Sequence, residues 1–336
     1  MTDTHPEVSI VVPVYNAAAY LGDLLRLLDQ VLENSSELVF LDDGSVDGSL
    51  ELLEAFARTR ANVQVARSAS NGGVANARNT ALKMARGTYV WFADSDDYWD
   101  PEILQTLKAA IRNSNADIAM CVAEVVHAPG TRGTVVDGVE RSGVWTQSEA
   151  IEQMLSGKMH GYLWNKLFRR EVLGENPFTN LTSQSDFTGV IHALGRSSAV
   201  AYIPDHLYFH VVRSESITTS KTPKMVNLLS CVALMEDLVR NKGKTALENG
   251  MWDYFRAWFL IVPLADTPLR VGASSPAIFD GIKLARSHLR SLPIAGLRQR
   301  DRSLWIRLRL IRDSGPFYPH VYSFVRSLKR KQYSRS

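Results

Sequence analysis

The residues best suited to chemistry form the acidic run Asp94-Ser95-Asp96-Asp97, which directly follows the apolar segment Tyr89–Ala93. Carboxylates crowded together repel one another, and a bound divalent cation removes that cost. Hard oxygen ligands favour Mg²⁺ or Mn²⁺, and Mg²⁺ is commonly held by one or two carboxylates together with substrate phosphates. The run therefore predicts a metal site. The alternative is an acidic loop that caps the helix beginning near Pro101.

Two further polar segments have a chemical and an ordinary interpretation. The carboxylates of Asp42-Asp43-Gly44-Ser45 could accept hydrogen bonds from a nucleobase edge or from ribose hydroxyls, although Asp-Gly is also a common turn. In Asn71–Asn79 a Gly-Gly pair precedes Arg78, whose fork of donors matches phosphate geometry. The alternative there is a glycine loop followed by a solvated arginine.

The elements between these segments explain how they would come together. Apolar runs predict four buried strands, and leucine- or alanine-rich stretches between them predict helices. This alternation indicates an α/β fold with a mostly parallel sheet and helices on both faces, in which ligands bind at the carboxyl ends of the strands. The predicted strands are Val8–Val14, Glu37–Leu41, Val63–Ala66 and Tyr89–Ala93.

Taken together, these segments resemble a known family. In their order and spacing, VSIVVPVYN, LVFLDDGSVDGS, NGGVANARN and YVWFADSDDYWDP resemble family 2 inverting glycosyltransferases with a GT-A fold. WNKLFRR, from Trp164, and YFHVVRSESI, from Tyr208, resemble later segments of bacterial capsule, exopolysaccharide and teichoic-acid transferases. The resemblance implies a Rossmann-like GT-A sheet, a nucleotide-sugar donor, most often a UDP-sugar, and Mn²⁺ or Mg²⁺.

The resemblance also implies a role for individual residues. Pro13, Tyr15 and Asp43 would line the nucleobase pocket, and Asp42 would support that loop or contact the ribose. Asp94 and Asp96 would hold the metal. The full set expected to contact the nucleotide sugar is Pro13, Tyr15, Asp42, Asp43, Arg78, Asp94 and Ser95.

An inverting transferase needs one general base to deprotonate the acceptor hydroxyl. In the family this base is the Asp of a Glu-Asp pair. Here Asp186 retains the Asp, whereas Ser185 replaces the Glu. We therefore expect Asp186 to be the catalytic base, and the alternative is a helix N-cap.

Roles are also predicted for four other side chains. Trp99 is expected to be a sugar-stacking platform, because it lies in the loop after the carboxylates. His210 is expected to be a structural residue. Lys166 and Arg213 could contact phosphates or the acceptor, and they could equally be surface charges.

The rest of the chain predicts a second region. We place a GT-A catalytic domain at residues 1–219 and a helical, basic region at 220–336, with the boundary in the Ser- and Thr-rich stretch Ser214–Pro223. Residues 281–336 contain fourteen Lys and Arg against two Asp, in a chain of net charge +3. This asymmetry suggests a polyanionic partner. An anionic membrane surface, a polymer acceptor, another subunit or copy, and a merely solvated face all remain open.

The sequence thus predicts an enzyme, a hexosyl- or N-acetylhexosaminyltransferase that acts on a glycan, lipid-linked or polymer acceptor in bacterial surface-glycan synthesis. No signal peptide or spanning segment is recognised, so we expect a cytoplasmic location or a peripheral one at the inner face of the membrane. No nucleic-acid recognition motif accompanies the basic charge. The alternatives are a nucleotidyltransferase and a non-catalytic nucleotide-sugar-binding protein of the same fold.

Overall fold

The computed structural model describes residues 5–212 and 225–333, and it describes side chains up to residue 327. The chain divides into two compact units, Met1–Arg213 and Ser214–Ser336. The described residues do not include the predicted domain boundary at Ser214–Pro223, within which the catalytic domain is expected to end at residue 219. They do not include Arg213 either.

The first unit alternates strands with helices along most of its length. Its strands are β1 Val8–Val14, β2 Ser36–Asp42, β3 Val63–Arg67, β4 Tyr89–Phe92, β5 Tyr98–Trp99, β6 Ile118–Val126, β7 Thr134–Val136, β8 Gly143–Thr146, β9 Lys166–Arg169 and β10 Ala199–Val211. Its helices are α1 Ala18–Val31, α2 Ser49–Ala57, α3 Val74–Met84, α4 Ile103–Ser114, α5 Gln147–Ser156, α6 Arg170–Leu173 and α7 Ser185–Arg196.

One sheet runs through this unit in the order β3-β2-β1-β4-β9-β6-β10-β5. Strands β3, β2, β1 and β4 are parallel, which confirms the predicted parallel sheet for this half. The other half is mixed, because β9 enters antiparallel to both β4 and β6, while β10 runs parallel to β6. The architecture is thus α/β with helices packed on the sheet.

The sequence patterns account for most of these elements. Strands β2 and β4 are buried at every position, as their apolar runs predict. Helix α5 begins with a capping box in which Thr146 and Glu149 satisfy each other's backbone N–H groups. Strands β7 and β8 follow each other along the chain but do not form a hairpin, because β7 pairs with β6 and β8 pairs with β10.

The second unit is helical. It contains α8 Met225–Lys242, α9 Lys244–Glu248, α10 Met251–Phe255, a π-helical stretch Arg256–Ile261, α11 Val262–Val271, α12 Ser275–Leu289, α13 Ile294–Arg300, α14 Arg302–Ser314, a 3-10 turn Gly315–Phe317 and α15 Tyr318–Tyr333.

Helices α9 and α10 are separated at Gly250, which has a φ of +74°. Helical structure then continues past Pro263 to Val271, because Pro263 lies in the first turn of α11, where a missing N–H is tolerated. In the ranges that the structure covers, none of the helices combines the length and apolar character needed to cross a membrane.

Candidate active site

The loops that follow β1 and β2 are joined at the carboxyl edge of the sheet. The Asn16 N–H donates to Ser45 Oγ at 2.9 Å, and the Val46 N–H donates to Asn16 Oδ1 at 2.9 Å. The Asp43 N–H donates to the Val14 carbonyl at 2.8 Å. The convergence predicted from the parallel strands is therefore observed, and Pro13 and Tyr15 lie at this edge. Tyr15 is 49% exposed, so its ring is open to a ligand.

Asp42 and Asp43 are both buried and both hold the loops in place. The Asp42 carboxylate accepts from the Ser45 N–H at 3.2 Å and lies 3.5 Å from Arg67 Nε, so it supports the loop. A contact between Asp42 and the ribose stays a prediction. The Asp43 carboxylate accepts from the Gly72 N–H at 3.1 Å and the Gly73 N–H at 2.8 Å. Asp43 thus ties the loop after β2 to the glycine loop, and its expected place in a nucleobase pocket stays a prediction. Gly73 has a φ of +87°, a conformation that favours glycine.

Arg78 connects the acidic loop with the predicted base. Its side chain is 3% exposed, one terminal nitrogen donates to Asp94 Oδ1 at 2.7 Å, and the other donates to Asp186 Oδ1. Burial opposes the charged form, but the Asp186 and Asp94 carboxylates outweigh it and raise the pKa of Arg78. Both ends of the guanidinium are thus engaged. The expected contact of Arg78 with the nucleotide sugar stays a prediction, and in this structure the guanidinium bridges two carboxylates.

Asp186 lies in the first turn of α7 with its side chain 25% exposed. Burial raises its pKa, Arg78 opposes this, and Asp94 adds to it. The residue at the helix cap is Gln184, so the N-cap interpretation of Asp186 is wrong. Ser185, in place of the expected Glu, is 1% exposed and its hydroxyl lies 3.4 Å from Asp186 Oδ1.

No separate role is predicted for Asp97, the last carboxylate of the acidic run, yet it anchors the acidic loop. Its buried carboxylate accepts from the Tyr208 hydroxyl at 2.9 Å, from the Val211 N–H at 2.9 Å and from His210 Nδ1 at 3.0 Å. Burial lowers the pKa of His210, but Asp97 outweighs it and raises that pKa to about 9, with Asp94 and Asp96 contributing. Two sequence features could have pointed to this role of Asp97. It is the fourth residue of the acidic run, and the segment YFHVV contains the polar residues Tyr208 and His210. In this structure His210 holds Asp97, and its expected role as a structural residue stays a prediction.

Asp94, Ser95 and Asp96 are half-buried and lie on one loop. Among residues 5–212 and 225–333, no group of three or more His, Cys, Asp or Glu side chains is placed to hold a metal. A cation held by one or two carboxylates and by substrate phosphates needs no such group. Asp94 uses Oδ1 for Arg78 and remains 26% exposed, so the donor set fits this mode of binding.

A stack of aromatic rings lies next to the acidic loop. Tyr162 stacks on Trp164 with ring centroids 4.6 Å apart, and Trp164 stacks on Tyr208 at 4.5 Å. Trp99 packs edge-on against Trp91 at 5.0 Å and is 4% exposed. The prediction that Trp99 is a sugar-stacking platform is therefore wrong: it belongs to β5 and to the core.

Lys166 is neither a phosphate ligand nor a surface charge. Its side chain is 0% exposed, and its ammonium lies 2.9 Å from Asp137 Oδ2 and 2.8 Å from Asn165 Oδ1. Burial opposes ionisation of Asp137, but Lys166 and His160 outweigh it and hold its pKa well below the usual range. The WNKL segment thus contributes Lys166 to a buried ion pair with Asp137.

Comparison with known proteins places these features in context. Residues 9–176 match the family model described as glycosyl transferase family 2. The chain is 34% identical over 170 residues to the uncharacterized glycosyltransferase EpsJ of Bacillus subtilis, which covers 50% of this chain and 49% of the relative. It is 28% identical over 213 residues to the poly(ribitol-phosphate) β-N-acetylglucosaminyltransferase TarS of Staphylococcus aureus, covering 62% of this chain and 36% of the relative. The chain thus spans about half or less of the length of these two relatives.

Solved structures share the fold. TarS residues 1–349 in complex with UDP-GlcNAc match with a TM-score of 0.69 at 22% identity, over 92% of this chain and 91% of that one. The mannosyltransferase PcManGT of Pyrobaculum calidifontis, in complex with GDP-Man and Mn²⁺, matches with a TM-score of 0.54 at 18% identity, over 92% and 88% of the two chains. The expected GT-A fold is confirmed.

Proposed function

Because the chain belongs to glycosyl transferase family 2, we propose that it transfers a sugar from a UDP-sugar to a hydroxyl acceptor, with inversion, in bacterial surface-glycan synthesis. The observation that carries this proposal is the bridge made by Arg78. One guanidinium holds Asp94, a candidate donor-side carboxylate, and Asp186, the candidate base. A transferase needs donor binding and a base side by side, because the acceptor oxygen attacks the anomeric carbon of the donor.

The acceptor side of the reaction rests on Asp186. Its carboxylate would accept the proton of the acceptor hydroxyl as that oxygen attacks the anomeric carbon. The raised pKa of Asp186 suits this role, because a base works best when its pKa approaches the working pH. Arg78 keeps the carboxylate ionised and fixes its direction.

The donor side rests on the loops at the sheet edge. Tyr15 and Pro13 would contact the base, Asp42 and Asp43 would hold the loops that surround it, and Ser95 would contact the donor. Asp94 and Asp96 would hold Mn²⁺ or Mg²⁺, which stabilises the departing diphosphate when bound. The Mn²⁺ in the PcManGT complex and the UDP-GlcNAc in the TarS complex support this choice of metal and donor.

The named activity of TarS supports a polymer or glycan acceptor. We place the reaction at the cytoplasmic side of the membrane, in residues 1–219, with residues 220–336 contacting the acceptor, the membrane or another copy. Nucleic acid is not among the proposed partners.

Two measurements test the proposal. UDP, GDP and dTDP are titrated calorimetrically with and without Mn²⁺, and Mn²⁺-dependent binding of UDP alone is expected. UDP release from UDP-GlcNAc is then compared in the wild type, in Asp186→Asn and in Asp117→Asn. Asp117 is a control, because it is another carboxylate of this unit paired with an arginine, Arg169.

Asp186→Asn should lower turnover by about 10²–10⁴-fold and leave UDP affinity unchanged, whereas Asp117→Asn should retain turnover. UDP binding without any release by the wild type would favour a non-catalytic binding protein. Release of pyrophosphate from a nucleoside triphosphate and a sugar phosphate would favour a nucleotidyltransferase. Full turnover by Asp186→Asn would refute the assignment of the base.

A further inference from the structure

Helix α14 uses two of its faces. Leu304, Leu308 and Ile311 are buried and recur at the spacing of one helical stripe, so this stripe packs into the second unit's own core. Ile306 lies off that stripe and is 44% exposed. Trp305, beside it, is half-buried. The apolar residues of α14 therefore do not form a single stripe, because some of them face outward.

Two exposed phenylalanines follow α14: Phe317 ends the 3-10 turn and Phe324 lies in α15. Phe317 is 69% exposed and Phe324 is 64% exposed. The 3-10 turn leads directly into α15, and seven residues are about two helical turns, so the two rings project to a similar side. The neighbouring Tyr318 is buried and donates from its hydroxyl to Asp266 Oδ1 at 2.6 Å, so it anchors the opposite side.

Arginines lie next to Trp305, and others are exposed along the same helices. The guanidinium carbon of Arg298 lies 5.3 Å from the Trp305 ring centroid, and that of Arg309 lies 5.6 Å from it. Arg302, Arg312 and Arg326 are also exposed. The two acidic residues of 281–336 are both engaged, since Asp301 caps α14 and Asp313 pairs with Arg309 and Arg312.

We propose that Trp305, Ile306, Phe317, Phe324 and the exposed arginines of these helices form one surface, and that this surface docks on an anionic lipid bilayer. Interfacial helices combine exposed aromatic residues with basic residues in this way. Each phenylalanine would enter the boundary between headgroups and acyl chains, while the arginines meet lipid phosphates.

The other occupants fit less well. A second copy of the same face would bring two strongly basic surfaces together, and like charges repel. A soluble polyanion would use the arginines but would leave the phenylalanines in water. Only an anionic bilayer satisfies both the charge and the exposed apolar area.

The test is co-sedimentation with sucrose-loaded vesicles in 0.1 M NaCl. Vesicles of equal phosphatidylglycerol and phosphatidylcholine should bind the wild type, with binding that weakens as salt rises, and pure phosphatidylcholine vesicles should bind it far less. Phe317→Ser/Phe324→Ser should weaken partitioning about 100-fold, because each buried phenylalanine contributes at least about tenfold. Arg298→Gln/Arg309→Gln should weaken it by about 10-fold or more.

Matched controls lie on α2 of the first unit and at its C-terminal end. Leu52 is 43% exposed and Arg58 is exposed, so Leu52→Ser and Arg58→Gln should bind as the wild type does. Thermal unfolding checks that each variant is folded. A second readout uses the intact wild type: acyl-brominated phosphatidylglycerol should quench tryptophan fluorescence, and Trp305→Phe should lose that quenching.

Several results would overturn the proposal. These are no binding of the wild type to the anionic vesicles, equal binding by the double phenylalanine variant, or equal loss in Leu52→Ser. Binding to soluble polyphosphate with vesicle binding absent would assign the surface to a polymer. Self-association that depends on Phe317 and Phe324 would assign it to a second copy. None of these readouts involves sugar transfer, so failure here leaves the proposed enzyme activity untouched.

Discussion

Replacing Arg78 with methionine removes the group that holds Asp94 and Asp186 together. Methionine fills a similar volume but carries no charge, so two carboxylates are left facing each other without their shared cation. Removing one partner of a buried ion pair costs about 3–5 kcal/mol. The two carboxylates are 26% and 25% exposed, and water screens part of their repulsion. We therefore expect a loss near the lower end, about 3 kcal/mol.

That loss can be read as a melting temperature. For a folded unit of roughly 150–250 residues, 1 kcal/mol corresponds to about 2–4 °C, so the midpoint of Arg78→Met should fall by about 6–12 °C. Arg78→Lys should recover only part of this, because one ammonium cannot bridge two carboxylates as a guanidinium does. Arg26→Met is the control, since Arg26 forms an ion pair with Asp23 while 76% exposed, and its midpoint should hardly change.

The pH dependence provides a second check on the same variant. Without Arg78, burial and mutual repulsion raise the folded-state pKa of Asp186 further. When a carboxyl group has a raised pKa in the folded state, the protein loses stability as the pH increases towards that pKa. The loss disappears at low pH, where the carboxyl is protonated in both the folded and the unfolded state. The deficit of Arg78→Met should thus be largest at pH 7 and shrink towards pH 4. Scanning fluorimetry across this range measures it. A midpoint within about 2 °C of wild type at pH 7, or a deficit that does not vary with pH, would refute the reasoning.

Three further outcomes are expected. Lys166→Ala should destabilise by about 3–5 kcal/mol in chemical denaturation, whereas Lys166→Met/Asp137→Leu should restore most of the loss, because an apolar pair leaves no buried charge unpaired; equal loss in both would contradict this. Gly44→Ala should lower the melting temperature, since a Cβ there would approach backbone atoms of residues 70 and 71 at 3.0 Å with a φ of +79°, while Gly22→Ala, in open space within α1, should raise it slightly. The thiols of Cys121 and Cys231 should resist a disulfide reagent at pH 8 until the protein is unfolded, because burial raises the pKa of each to about 12. Rapid labelling of the native protein would count against this.

The sequence predicts well what depends on local pattern. Strands β1, β2 and β4 follow from continuous apolar runs, and the meeting of their loops follows from parallel pairing. Sequence could not show that Arg78 reaches Asp186, a residue 108 positions away, since that contact depends on how α7 packs against α3. The same applies to Asp43, whose partners come from another loop.

The structure differs from the sequence-based predictions where a residue type can be either buried or exposed. Trp99 follows a polar loop, so its position suggested exposure, but a short strand pairs it with β10 and turns its ring into the core. A lysine usually lies at the surface, and the burial of Lys166 depends on the opposite charge of Asp137, which comes from the segment before β8. In both cases the deciding partner lies far away along the chain.

Strand β9 has a consequence for synthesis on the ribosome. It is inserted between β4 and β6, although the chain reaches it only after both neighbours have been made. Until residues 166–169 emerge, β4 and β6 each expose an unpaired, apolar edge of the kind that pairs with other chains. Domains generally fold as units during translation, and this one cannot close its sheet early. Nascent chains halted before β9 should therefore engage ribosome-associated chaperones more strongly than chains halted after β10.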